Sequence, residues 1–182
     1  MAMSKVAVLF ARVDSIYKTF PDCDVYDINR NALTWPGGYP VVAHPPCRTC
    51  GKLRQFSKAP ASEHELAVWA TEQVKCWGGV LEHPEGSKLW SYLGLPPPLI
   101  VDQFHWGHKA RKRTWLYIVG VDPGTLDVPF RSGEPTHTIG SSLRISGKPD
   151  LPKRERDVTP IAFAQWLVEL AKSSNGGSQR SE

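Results

Sequence analysis

Residues 41–52 read VVAHPPCRTCGK: a short apolar run, a histidine, two prolines and two cysteines three positions apart. The run YPVVAH (39–44) has the valine content and length of a strand buried on both faces. Pro45 and Pro46 stop it, because proline cannot donate to a central ladder. The pair fixes the backbone just past a strand end and holds Cys47 there. Three readings compete: a nucleophile on a rigid turn, zinc ligands His44, Cys47 and Cys50, or a stiffened loop with inert thiols. Each needs different partners elsewhere in the chain.

Outward from this stretch the pattern repeats. KVAVLFA (5–11) and CDVYDIN (23–29, ending near Asp27) read as strands, GGVLEH (78–83) begins a fourth, and RTWLYIVGV (113–121) carries the strongest β signal. DSIYKTF (14–20) reads as a short helix capped by Asp14 or Ser15. Ser62 and Glu65 form a predicted capping box ahead of ELAVWATEQVKCW, with Leu66, Trp69, Ala70, Gln73, Val74 and Trp77 near one face. Thr159 is the expected cap of IAFAQWLVELAK, with Pro160 at its first helical position. Strands alternating with helices predict an α/β, Rossmann-like, doubly wound and mostly parallel sheet in a single domain. That domain is expected over residues 1–172, with SSNGGSQRSE (173–182) as a disordered tail. Ligands of such sheets sit outside the carboxyl ends of the strands. Asp27, His44–Cys47 and Glu82–His83 are therefore expected on one rim.

Composition narrows the classes. A chain of 182 residues with 41% hydrophobic and 22% charged residues suits one soluble domain. No apolar run approaches the ~20 residues that span a bilayer, and MAMSKVAVLF reads as a first strand better than as a signal peptide, so a cytoplasmic setting without membrane contact is expected. Cys23, Cys47, Cys50 and Cys76 have no disulfide-framework spacing, which leaves metal binding, catalysis or burial. A net charge of +4 leans toward a polyanionic partner. Seven tryptophans serve a core or base stacking, with Trp77, Trp90 and Trp106 the stacking candidates.

Three segments carry possible chemistry. Thiolates add well to electron-poor carbons such as C6 of a pyrimidine, and Arg48, Lys52 and Arg54 are expected to favour the Cys47 thiolate. In VLEHP (80–84), a strand ends in Glu82; partial burial is expected to raise its pKa, so that it holds a proton for a ring nitrogen. The bland alternative is a solvated glutamate. HWGHKARKRTW (105–115) offers Lys109, Arg111, Lys112 and Arg113 to phosphates, or is simply a solvated charge run.

Taken together and in this order, AHPPCRTCGKLRQFS, GGVLEHPEGSKLWSYLGLP and GHKARKRTWLYIVGV resemble elements of the DNA cytosine-C5 methyltransferases, in a compact form like those of bacteriophages. The resemblance runs from about residue 5 to 121. It implies Cys47 as the nucleophile, Glu82 as the carboxylate on the cytosine ring nitrogen, and Arg111 and Arg113 as the paired arginines of the catalytic site. It also implies S-adenosylmethionine as methyl donor, near Phe10, Asp27, Pro45 and Pro46, and DNA as substrate. Arg48, Lys52, Arg54, Lys109 and Lys112 would then contact nucleic acid, and the target base would be flipped out or already single-stranded. The sequence departs from the family in several places. LFARVDS has no glycine where a glycine-rich turn is usual, so Arg12 and Val13 are expected to crowd a nucleoside. His83 replaces an asparagine and Lys109 a glutamine. Residues 122–158 are too few for an inserted target-recognition domain, which points to a protein partner supplying recognition.

Two other classes remain. Pro46-Cys47-Arg48-Thr49-Cys50 matches half of a zinc nucleobase deaminase signature, but no upstream H-x-E accompanies it. Zinc on His44, Cys47 and Cys50, with His83, His105 or His108 as fourth ligand, is the cofactor alternative. The other class is a catalytically silent nucleic-acid-binding protein of the same fold. Cys50 has no role in the nucleophile reading and is expected to be dispensable.

Overall fold

Short valine-rich runs, too apolar to face water on either side, assemble into one six-stranded sheet ordered β2-β1-β3-β4-β6-β5. The structure is a computed structural model and describes residues 5–51, 54–140 and 147–174. The strands are β1 (Val6–Leu9), β2 (Cys23–Tyr26), β3 (Val41–Ala43), β4 (Gly79–Pro84), β5 (Leu99–Asp102) and β6 (Arg113–Val119). The first four are parallel neighbours, and β6 runs antiparallel to both β4 and β5. The expected α/β, mostly parallel sheet is therefore present, with one reversed strand inserted. β5, which follows three prolines and leaves Ile100 exposed, is an additional edge strand that the sequence reading did not include.

Strand alternation decides what covers each face. Val6, Val8, Val42, Val80 and Leu116 point to one side, where they meet Phe163, Leu167, Val168 and Ala171 of the last helix, Ile161–Ser173. Ala7, Leu9, Val41, Ala43, Leu81 and Tyr117 point to the other, under Ala67, Ala70 and Val74 of helix α1 (Ser62–Trp77). A short helix α2 (Leu89–Leu93) adds Leu89 and Trp90 to this second core. Helix α3 (Lys153–Arg156) precedes the last helix, which is α4.

The helix boundaries differ from the sequence reading in informative ways. Ser62 lies inside α1, whose cap position is Ala61, and no side chain caps it, so the expected Ser62–Glu65 box does not form. Glu63 instead turns inward to an ion pair with Arg48. Pro160 occupies the cap position of α4 with an extended ψ of 140°, rather than the first helical one. Residues 14–20 hold only a 3-10 turn, Ile16–Thr19, with no side-chain cap from Ser15. Ser173 closes α4 and Ser174 is buried, with its hydroxyl donating to the Ala171 carbonyl at 2.6 Å. The rest of the expected tail lies outside the described residues. No described helix is long and apolar enough to cross a membrane.

Trp90 and Trp106 are core residues: Trp90 packs edge-on to Trp115, and Trp106 lies against Phe163 and Trp166. Trp77 is half-exposed but leans on Trp35. None of the three stacking candidates is presented to the rim as a free ring.

Candidate active site

Because β1 to β4 run in one direction, residues 10–14, Asp27, His44–Cys47 and Glu82–His83 all emerge at the same edge of the sheet. The reversed direction of β6 brings its amino end, Arg113, to that edge opposite Asp102. The basic stretch and the two catalytic candidates thus share a rim because one strand is antiparallel.

Glu82 is largely buried, and each oxygen of its carboxylate has a partner. Oε2 receives His44 Nδ1 at 3.0 Å, and Oε1 receives the Gln103 amide at 3.3 Å; that amide also donates to Thr114 Oγ1 at 3.0 Å. His44 Nε2 is hydrogen-bonded to the Tyr17 hydroxyl at 3.0 Å. Burial pushes the Glu82 carboxyl up, but the His44 hydrogen bond and charge, with Lys112 and His83, outweigh it and bring the pKa down to about 2. The expectation of a raised pKa is thereby corrected: Glu82 is a carboxylate at neutral pH. Burial alone gives the expected sign, and the imidazole at 3.0 Å reverses it.

Cys47 sits at the end of β3 beside β4. Burial raises its thiol pKa, and the charges of Glu82 and Asp157 raise it further, against a smaller opposing effect of Lys112. The expectation that neighbouring cations favour the thiolate is also corrected. Arg48 is turned away to Glu63, with Nε donating to Oε2 at 3.1 Å. Arg54 is exposed and, among the described residues, donates to the Gly51 carbonyl at 3.5 Å. Lys52 lies outside the described residues. The Cys47 carbonyl accepts from the Cys50 and Gly51 amides at 3.1 and 2.7 Å, so residues 47–51 form a tight turn.

That turn sends the second cysteine inward. Cys50 is buried, 3.0 Å from His64 Nδ1, in the core beneath α1. With His44 held by Glu82 and Tyr17, the proposed zinc trio does not converge, and no group of three His, Cys, Asp or Glu side chains suited to a metal occurs among the described residues. His83 binds Ser87 Oγ at 2.6 Å, His105 Nδ1 accepts from the Arg131 amide at 3.0 Å, and His108 Nδ1 is held by Ala110. None serves as a fourth ligand. The zinc alternative, on which the deaminase reading depends, is thus not supported by the described residues.

The basic stretch is largely neutralised. Lys109 pairs with Glu155 at 2.7 Å, Arg111 with Asp102 at 3.4 Å, and Arg113 with Glu85 at 2.7 Å. Neither arginine bonds to Glu82; the cation whose field acts on both Glu82 and Cys47 is Lys112. Sequence reasoning placed Lys112 only among phosphate contacts. It missed Tyr17 and Gln103 altogether, and it read His44 as a metal ligand rather than a partner of Glu82. Their sequence separations from Glu82 left no local signal.

At the ends of β1 and β2 an open groove of about 570 Å³ is lined by Ala11, Arg12, Val13, Asp14 and Ile28. Arg12 and Val13 both line it as expected, and the Arg12 guanidinium is held at its wall by Asp14 at 2.9 and 3.1 Å and reaches the Arg154 carbonyl at 3.4 Å. Val13 and Ile28 stand exposed as apolar walls, 53% and 84% accessible, where a nucleoside ring could lie. Phe10, at φ 61°, turns the chain without glycine and packs edge-on against Trp69. Pro45 is buried behind the turn and Pro46 half-buried. The Asp27 carboxylate is fully engaged: Lys18 holds Oδ2 at 2.5 Å, and the Asn29 and Arg30 amides hold Oδ1. What the groove offers a nucleobase is two exposed apolar side chains, Val13 and Ile28, while the carboxylate that would meet ribose hydroxyls, Asp27, is already paired with Lys18.

No family model matches the chain. It is similar to a protein of frog virus 3 (isolate Goorha) named "Probable DNA (cytosine-5)-methyltransferase", with 24% identity over an alignment covering 79% of this chain and 84% of that protein.

Proposed function

We propose that this protein modifies a pyrimidine of DNA at C5, through transient addition of Cys47 to C6. The observation that carries the reading is the placement of Cys47 and Glu82 at the carboxyl ends of adjacent parallel strands, close enough for the Glu82 charge to act on the thiol. A carboxyl group beside a sulfur nucleophile is what protonation of a pyrimidine ring nitrogen, concerted with attack at C6, requires. The similarity to a protein named as a DNA (cytosine-5)-methyltransferase supports the same chemistry.

In this reading Cys47 supplies the sulfur, Glu82 faces the ring nitrogen, Gln103 and His44 orient Glu82, and Lys112 offsets the local negative charge. S-adenosylmethionine, when bound in the groove beside Val13 and Ile28, supplies an electrophilic methyl group for C5. The base must be out of the helix stack to reach a half-buried thiol, so single-stranded or flipped substrates are favoured. Target recognition by a separate protein partner is part of the proposal, as is action in a host-cell cytoplasm.

The test is incubation with 5-fluorocytosine-containing DNA, single- and double-stranded, with and without S-adenosylmethionine. A denaturant-stable adduct that requires the donor and disappears in Cys47→Ser is expected. No adduct under any condition, together with no calorimetric binding of S-adenosylmethionine, would overturn the reading.

A further inference from the structure

The motifs that suggested the reaction give Glu82 a role but none to the two groups behind it, His44 and Tyr17. His44 is held at both ring nitrogens, by Glu82 at 3.0 Å and by the Tyr17 hydroxyl at 3.0 Å. An ionised carboxylate only accepts, so Nδ1 carries a hydrogen toward Glu82. A tyrosine hydroxyl both donates and accepts, so it satisfies Nε2 whether or not that nitrogen is protonated. Tyr17 is 1% exposed, and burial with the nearby charges of Glu82 and Cys23 keeps its hydroxyl protonated. The surroundings are therefore built for an imidazole that changes protonation without losing a hydrogen bond. The other groups facing this chain are Lys112, Cys47, Cys23 and His83. His83 stays neutral through burial.

We propose that His44 is the proton reservoir of the site and that Glu82 is the conduit between it and the pyrimidine. The inference rests on the Cys47 reading above and deepens it. As the sulfur–C6 bond forms, the thiol proton leaves to water, and the C5=C6 electron pair shifts into the ring. The Glu82 carboxylate takes a proton from Nδ1 of a doubly protonated His44 and passes it to the ring nitrogen, while His44 keeps its other proton on Nε2 toward Tyr17. After C5 has gained its carbon, the C5 proton leaves to water, the sulfur–C6 bond breaks, and the ring-nitrogen proton returns through Glu82 to His44. The cycle consumes no proton at His44. Moving the proton onto Glu82 also cancels the negative charge that holds the Cys47 thiol up, so proton delivery and thiol ionisation favour each other.

The experiment measures single-turnover adduct formation on single-stranded 5-fluorocytosine DNA against pH, for the native protein, His44→Gln and Tyr17→Phe. His44→Gln keeps a hydrogen-bond donor for Glu82 but no titrating proton. The native rate is expected to fall on the alkaline side as the His44–Glu82 pair loses its proton. His44→Gln is expected to be slower by about 100-fold, the low end of general acid catalysis, with that alkaline limb abolished. Tyr17→Phe is expected to displace the limb with a smaller loss. Nuclear magnetic resonance of labelled histidines gives a readout independent of turnover: Glu82→Gln should move the His44 Nδ1 proton resonance upfield as its charged acceptor is lost. Adduct formation by His44→Gln at the native rate with an unchanged limb overturns the relay and leaves the Cys47 reading standing. A His44 Nδ1 proton resonance indifferent to Glu82→Gln also overturns it. Absence of any adduct with the native protein overturns the Cys47 reading, and the relay falls with it.

Discussion

His83 shows how much one side chain at the rim is constrained. It is fully buried, bonds Ser87 Oγ at 2.6 Å, and faces the Pro46 backbone, so it braces the turn that carries Cys47. Burial lowers its pKa to about 4, against the raising effects of Glu82 and the Pro46 backbone. An unfolded histidine titrates near 6.5. As pH falls below that value the unfolded chain takes up a proton that the folded one refuses until about 4. Stability is therefore expected to be full above about pH 6.5 and to fall by roughly 3 kcal/mol on acidification to about pH 4. Urea denaturation across that window measures it, and His83→Asn should flatten the dependence. Below about 4.5, protonation of Glu82 in the unfolded chain adds to the loss until its folded value of about 2 is reached. Cys50, whose sulfur is 3.0 Å from His64, is a core residue. Cys50→Ala is expected to cost about 1–2 kcal/mol in denaturant stability while leaving Cys47-dependent adduct formation intact.

At the scale of elements, the close approach of β3 and β4 depends on Gly79. Its φ is 109°, and a Cβ there would run into the Val41 carbonyl oxygen. Gly79→Ala is expected to cost about 3 kcal/mol or more and to depress the yield of folded protein. Gly94→Ala, at φ 62° but in open space, should cost only about 1 kcal/mol; equilibrium denaturation of both variants checks the contrast. The parallel strands and their rim were legible because doubly buried strands read as continuous valine-rich runs bounded by prolines and glycines. The direction of β6 was not, because a period-two pattern is the same read either way. β5 was hidden by the prolines before it and by its brevity. The site was legible as residue types at strand ends, Cys47 and Glu82. Its electrostatics were not, since the sign of the Glu82 shift is set by His44, thirty-eight positions away.

For the molecule as a whole, a positive net charge overstates what is offered to a polyanion. Of the basic residues expected to touch nucleic acid or the base, Arg48, Lys109, Arg111 and Arg113 are in ion pairs with Glu63, Glu155, Asp102 and Glu85. Lys112 and Arg54 are the members of that set not in an ion pair among the described residues. DNA affinity is accordingly expected to be modest and only weakly salt-dependent. A plot of log K against log salt should have a slope of about −2 to −4, corresponding to roughly two to four phosphates; fluorescence anisotropy titrations at several salt concentrations measure it. Exposed pairs of this kind stabilise little, so removing Glu155 or Glu85 should steepen the slope without unfolding the protein.

Helix α4 supplies Phe163, Ala164, Leu167, Val168, Leu170 and Ala171 to one face of the sheet, and Ser174 beyond it packs against Gly78 and Gly120. During synthesis the six strands leave the ribosome before this helix does. Until it arrives, Val6, Val8, Val42 and Val80 have only residues such as Tyr17 and Trp106 over them, and the nascent chain carries a largely open apolar β surface of the kind that chaperones bind. The rim that holds Cys47 and Glu82 is thus made well before the helix that closes the sheet face beneath it.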